Sequence, residues 1–350
     1  MTTVNRSIPV RSAALAALAL AALAPGAFAS CGAESCPLDN SAFGARARRL
    51  SFELSYLYVD QDRTRSGTHP GDVAQAFVSG GEVRTISRIS TTKAFYSLGP
   101  RWLFSASLPV IDRFHEHVTV IGPPVPKVRQ WQFSGAGDLT LIGSGTVLKT
   151  RSQSPFSVAI QAGVKLPTGR RHIQAIDGEQ PEPHARPGTG STDLLGGMQL
   201  LETLRLPAPS RNSTVMFASA LYTHTGSGVD QYRLGRLFET HIGASYPLLT
   251  RLSLLAQVSS QVRGRDRSAG TGAGGYHAGH AVLPGEDEDQ GSVHPNTGGT
   301  AVFAAPGVRY EIGPWLAVST YVQLPIYQRV NGIQLVAPSQ LWIGTTYKLP

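Results

Sequence analysis

The sequence predicts an all-β chain: an antiparallel transmembrane β-barrel of about 12 strands, preceded by a cleaved export segment. Three observations predict it. The first 29 residues have the layout of a secretory signal peptide. From residue 49 onward, stretches of roughly 12 residues alternate apolar and polar side chains with period two. The connections between those stretches alternate long and short.

The export segment has three parts. Arg6 and Arg11 make a positive start, Ala13 to Ala24 form an apolar run, and Pro25-Gly26 precede the small-x-small triplet Ala27-Phe28-Ala29. The run is shorter than the roughly 20 residues of a spanning helix. Phe28-Ala29-Ser30-Cys31 is a poor lipidation signal, so cleavage after Ala29 is expected, with lipidation of Cys31 as the other reading. Residues 30–48 read as a periplasmic lead-in. Cys31 and Cys36 are the only cysteines, and export places them in an oxidising compartment where a local disulfide forms. A soft-metal or redox site is the alternative, with no His or further Cys close in sequence.

No later segment reaches 18 consecutive apolar residues, so residues 49–350 can enter a membrane only as a closed barrel. Charged residues make up 15%, against roughly 25% in soluble domains. The formal charge of +8 falls to +6 when Arg6 and Arg11 leave with the export segment. The cations are scattered, with no basic run or recognition helix, which excludes nucleic-acid binding as the reading. A cationic pore, or contact with anionic lipopolysaccharide, accounts for the sign.

Arg49–Arg63 opens the rhythm. Phe52, Leu54, Tyr56 and Tyr58 share one face; Ser51, Glu53 and Ser55 share the other. Val83–Ser97 follows a Gly/Ser/Thr loop, and the tight turn Leu98-Gly99-Pro100 leads into Arg101–Arg113, whose Trp102, Phe104, Ala106, Leu108 and Val110 align. Gly135–Lys149, Pro155–Leu166, Thr189–Leu204, Asn212–His224, Tyr232–Pro247 and Arg251–Arg263 continue the pattern. Gly298–Ile312, Trp315–Arg329 and Val336–Leu349 complete it. Strands of this length suit a tilted membrane crossing rather than a soluble sandwich, whose strands run nearer 5 or 6 residues. Gly344, Tyr347 and Leu349 resemble the C-terminal signal read by barrel-assembly machinery, with Pro350 in place of the usual final aromatic.

Several motifs recur in order in a known family: Gly135-Ala136-Gly137-Asp138-Leu139, Lys165-Leu166-Pro167-Thr168-Gly169, Pro187-Gly188-Thr189-Gly190-Ser191-Thr192-Asp193, Gln323-Leu324-Pro325-Ile326-Tyr327 and Val330-Asn331-Gly332-Ile333-Gln334-Leu335. On these the chain resembles the bacterial outer-membrane transporters of the meta-pathway phenol-degradation family, over most of residues 31–349. The resemblance implies a barrel of roughly 12 strands. A hydrophobic or aromatic solute would fit that family's name.

In a barrel, polar residues opposite the lipid-facing set point into the lumen. That assigns Glu53, Asp138, Gln161, Lys165, Asp193, Glu239, His241, Gln257, Gln261, Arg309 and Gln323 to the lumen, as a selectivity lining or as the polar core of a plugged barrel. His115 and His117 lie two apart at the end of the third strand and point the same way, so they could chelate a metal such as Zn²⁺; solvated loop-edge histidines are the plainer reading. The longest loop, 264–296, holds His277, His280, His294 and the run from Glu286 to Asp289, which could gather divalent cations or gate the pore. No Gly-x-Ser-x-Gly elbow and no nucleotide loop is present, so neither catalysis nor a cofactor is expected. The expected role is passive passage of a small solute. The alternatives are a non-conducting barrel that binds divalent metal and, behind it, an outer-membrane hydrolase.

Overall fold

A computed structural model describes residues 50–71, 82–119, 127–150, 155–173, 181, 183–204, 213–268 and 292–349. The export segment, the lead-in with Cys31 and Cys36, and His277, His280 and the acidic run of the longest loop lie outside these residues.

Period-two alternation becomes one antiparallel sheet closed on itself. Its strands are β1 (Leu50–Gln61), β2 (Glu82–Leu98), β3 (Trp102–Thr119), β4 (Lys127–Ala136), β5 (Leu139–Lys149), β6 (Phe156–Leu166) and β7 (Asp193–Leu204). They continue with β8 (Thr214–His224), β9 (Leu237–Pro247), β10 (Leu252–Arg263), β11 (Gly299–Glu311), β12 (Leu316–Val330) and β13 (Gln340–Lys348). Sequence neighbours pair throughout, and β1 pairs β13, from Ser51 opposite Lys348 to Val59 opposite Gln340, to close the ring. Closure removes every sheet edge that lipid could not satisfy.

β4 and β5 are two halves of one barrel strand, which makes the barrel 12-stranded. Both pair with β3: Ala136 to Lys127 along Val110 to Thr119, and Thr140 to Gly145 along Ser107 to Trp102. The sequence pattern placed the start of this strand at Gly135; it starts at Lys127 and is interrupted at Gly137-Asp138. β3 likewise runs to Thr119 instead of stopping at Arg113. Other expected starts, at Thr189, Tyr232 and Val336, move inward to Asp193, Leu237 and Gln340, because the polar residues before them fold as connections.

Aromatic and aliphatic side chains face outward as a belt. Phe52, Leu54, Tyr56, Trp102, Phe104, Leu254, Val258 and Ile343 are exposed, while their neighbours Ser51, Glu53, Ser55, Gln257 and Ser259 are buried inside. The interior is not uniformly polar, as the alternation suggested. Leu57, Val59, Ile89, Ile111, Phe217, Leu255, Tyr321 and Trp342 point inward and form one buried cluster at mid-barrel. A ring of 12 strands leaves an interior that side chains must partly fill, and apolar ones fill it without unmet hydrogen bonds. Among the described residues no helix is long and apolar enough to cross a membrane.

Candidate functional site

The interruption at Gly137-Asp138 creates the site. β6 ends at Leu166 and β7 begins at Asp193, so above Ala136 the far edge of β4 has no strand beside it. The described residues of the connection, 167–173 and 183–192, fill the gap. Arg170 donates its backbone N–H to Ala136 O (2.8 Å), and Leu139 N–H goes to Thr168 Oγ1 (2.9 Å). Three chain crossings then meet at glycines: a Cβ on Gly169 would lie 2.6 Å from Gly188 Cα and 2.7 Å from the carbonyl carbon of Gly137. Only glycine permits this approach.

Two carboxylates and one lysine tie the crossing together. Asp138 Oδ1 accepts Gly169 N–H (2.9 Å), and its Oδ2 accepts Thr189 N–H (2.9 Å) and Thr189 Oγ1–H (2.7 Å). Asp193 Oδ1 accepts Ser191 Oγ–H (2.7 Å) and Gly226 N–H (3.0 Å). Lys165 Nζ lies between them, 2.6 Å from Asp193 Oδ2 and 3.5 Å from Asp138 Oδ2, and donates to Thr189 Oγ1 (2.7 Å) and Ser191 Oγ (3.3 Å). The first three motifs quoted above, far apart in sequence, thus converge on one buried node.

Beyond the node the connection enters the barrel. A short 3-10 turn, Pro183–Ala185, is held by Arg113, which donates Nη1 to Ala185 O (2.6 Å) and Nε to Ser87 Oγ (3.0 Å). His184 Nε2 lies 3.2 Å from Glu82 Oε1. Arg186 is buried and donates Nε to Pro181 O (2.9 Å).

Below this segment lies a cavity of about 390 Å³, within the roughly 300–1,000 Å³ of small-ligand sites. Asp138, Gln161, Lys165, Asp193, Glu239, His241 and Gln261 line it. Of the other four residues assigned to the lumen, Glu53 (4.0 Å from Lys93), Gln257, Arg309 and Gln323 are buried in the interior. Gln261 donates to Glu239 (3.3 Å), and the amide of Gln257 contacts His241 Nδ1 (3.3 Å). Apolar side chains share the lining: Leu57, Ile89, Leu195, Phe217 and Trp342. Sequence reasoning missed Arg113, His184, Arg186 and Thr189; only the motif order around Thr189 hinted at them.

The histidines behave differently from the expectation of a solvated loop edge. His115 and His117 lie within β3, are 1% and 2% exposed, and stack with each other and with Trp131 at centroid distances of 5.6–6.4 Å. The Oγ1 of Thr85 is 2.8 Å from His115 Nδ1. His294 contacts Ser268 Oγ through Nε2 (3.1 Å) and packs on Tyr232. Among the described residues no group of three or more His, Cys, Asp or Glu is placed to hold a metal ion.

No protein-family model matches the chain, and no curated protein matches it in sequence. Among solved structures, an outer membrane channel from Pseudomonas putida F1 is similar: TM-score 0.55, 11% identity, 90% of this chain and 99% of that one. The translocator domain of the autotransporter NalP from Neisseria meningitidis gives a TM-score of 0.40 at 10% identity, over 97% and 95% of the two chains. A Pseudomonas aeruginosa FadL homologue gives 0.39 at 10% identity, over 92% and 98%. The likeness to the Pseudomonas putida protein is one of fold.

Proposed function

We propose that this protein is an outer-membrane channel through which a small solute passes passively, exported to its membrane by the N-terminal segment. The observation that carries the reading is a closed 12-stranded barrel with an apolar outer belt enclosing a cavity of about 390 Å³. A barrel built only for packing would have filled that space with side chains. The lining offers both apolar surface and fixed polar groups, the combination small-molecule sites use to desolvate and orient a ligand.

The environment follows from the same barrel. Its belt faces outer-membrane lipid. On the outer surface Arg84 pairs with Asp60 (2.7 Å) and Arg88 with Asp112 (3.1 Å), guanidinium groups of the kind that suit contact with lipopolysaccharide phosphates. Assembly would proceed through the barrel-assembly machinery reading the last strand.

The test is single-channel recording of the refolded chain in a planar bilayer. Discrete conductance steps are expected. Silence from a folded barrel, one that still shifts its gel mobility on boiling, would remove the channel reading.

A further inference from the structure

The cavity lining combines two kinds of group. Leu57, Phe217 and Trp342 present hydrocarbon and aromatic surface, and Leu237, also in the lining, pairs with Arg263 across the strands. Lys165, Gln161, Gln199, Glu239 and Arg263 present polar groups. A solute that satisfies both kinds has an apolar body and a polar end, and the charges of the lining decide the sign of that end.

The carboxylates of the lining each accept from the protein's own donors. Asp138 accepts from Gly169 and Thr189, Asp193 from Ser191 and Gly226, and Glu239 from Gln261. Among the cations, Lys165 lies between the two aspartates and Arg186 donates to Pro181 O. Lys93 stands 4.0 Å from Glu53. Arg263 differs. It follows Gln261 on the inward face of β10, lines the cavity, and makes no ion pair or side-chain hydrogen bond with any described residue. A guanidinium offers five N–H donors in a planar fork matched to a carboxylate, and it keeps its charge at any physiological pH. A cation entering the cavity would meet this charge, while the lining carboxylates already have partners of their own. A neutral solute would leave the fork unmet.

We propose that the cavity is a binding subsite for small amphipathic monocarboxylates, with Arg263 receiving the carboxylate and the apolar residues of the lining receiving the hydrocarbon body. This deepens the channel reading and rests on it for the solute's route, but the binding itself does not require conduction.

Benzoate is the probe, with benzylammonium as the isosteric cation. Two measurements on the refolded chain are paired. Calorimetric titration of the folded barrel should show benzoate binding and no benzylammonium binding. Arg263→Gln should weaken benzoate binding roughly tenfold, the loss expected of a charged hydrogen bond, and Arg263→Lys should restore part of it. Bilayer recording across a salt gradient should give a reversal potential of anion-selective sign that Arg263→Gln moves toward zero. Equal binding of the two probes, or benzoate binding unchanged in a folded Arg263→Gln protein, overturns the subsite while leaving a conducting channel intact. A silent bilayer with selective, Arg263-dependent benzoate binding overturns the channel and keeps the subsite.

Discussion

Asp138 carries more of this structure than any other single side chain. It sits where the barrel strand breaks, is almost wholly buried, and spends both carboxylate oxygens on the backbone of the incoming connection. Replacing it by alanine strands one buried and one part-buried N–H group and takes one of the two carboxylates from Lys165. Leaving buried donors unmet costs roughly 1–3 kcal/mol. Because these bonds hold Gly169 and Thr189 of the connection and not the wall, Asp138→Ala should lower the urea midpoint modestly and raise the open-channel conductance as the Pro183–Ala185 segment, still held by Arg113, loses part of its support. An unchanged conductance with the same loss of stability would mean the segment does not limit the bore. Conserving the shape with Asp138→Asn should keep part of the contact, since the amide oxygen still accepts one N–H.

At the scale of elements, aromatic rings laid over glycines keep the strands flush. Phe217 on β8 lies directly across from Gly243 on β9, and Trp102 on β3 across from Gly145 on β5. A Cβ on Gly243 would fall 2.6 Å from the Phe217 ring and 2.7 Å from Ala256 O. The ring covers bare backbone, as aromatic residues do for glycines in built sheets. Gly243→Ala should therefore push Phe217 into the cavity, costing roughly 1–3 kcal/mol as overpacking does, and narrow the channel. Gly196, on the outward face of β7 with nothing within 4 Å of its would-be Cβ, is the control: Gly196→Ala should be nearly silent in both readouts. Such pairs also show what the sequence could and could not reveal. Alternation exposed the strands because each side chain meets either the outer belt or the interior, so β1 and β10 were legible nearly from end to end, and β3 as far as Arg113. The break at Gly137-Asp138 was not, because local pattern has no term for a carboxylate needed 31 residues later by Gly169. The inward segment was illegible for a related reason. Its Pro and Gly residues announce a loop, and only tertiary bonds from Arg113 decide that the loop enters the barrel. Arg263, unpaired among the described residues, shares its strand with Gln257 and Gln261, yet alternation there singles out amides as readily as charge.

Taken whole, the molecule is a wall with two faces, and on the channel reading the outer one sets its position in a bilayer. The belt is apolar from Phe52 to Tyr56 on β1 and from Leu341 to Tyr347 on β13, with Ile343 opposite Tyr56 and Tyr347 opposite Phe52. Four residues along a strand tilted about 40° span roughly 10 Å of depth. If the short-turn end of the barrel lies at one membrane face, Ile343 is near the midplane and Tyr347 near the interface, where aromatic girdles sit. Arginine at the two positions then has different consequences although the local strand geometry is the same. At the midplane it costs about 2–4 kcal/mol, and near the interface about 0–1 kcal/mol. Urea titration in phospholipid vesicles should resolve Ile343→Arg from Tyr347→Arg by that margin, and the gap should shrink in fluid detergent micelles, which deform around a charge. A vesicle experiment in which both substitutions cost the same would place β13 outside the hydrocarbon and remove the membrane frame on which the lumen, its cavity and its inward segment acquire their meaning as a passage.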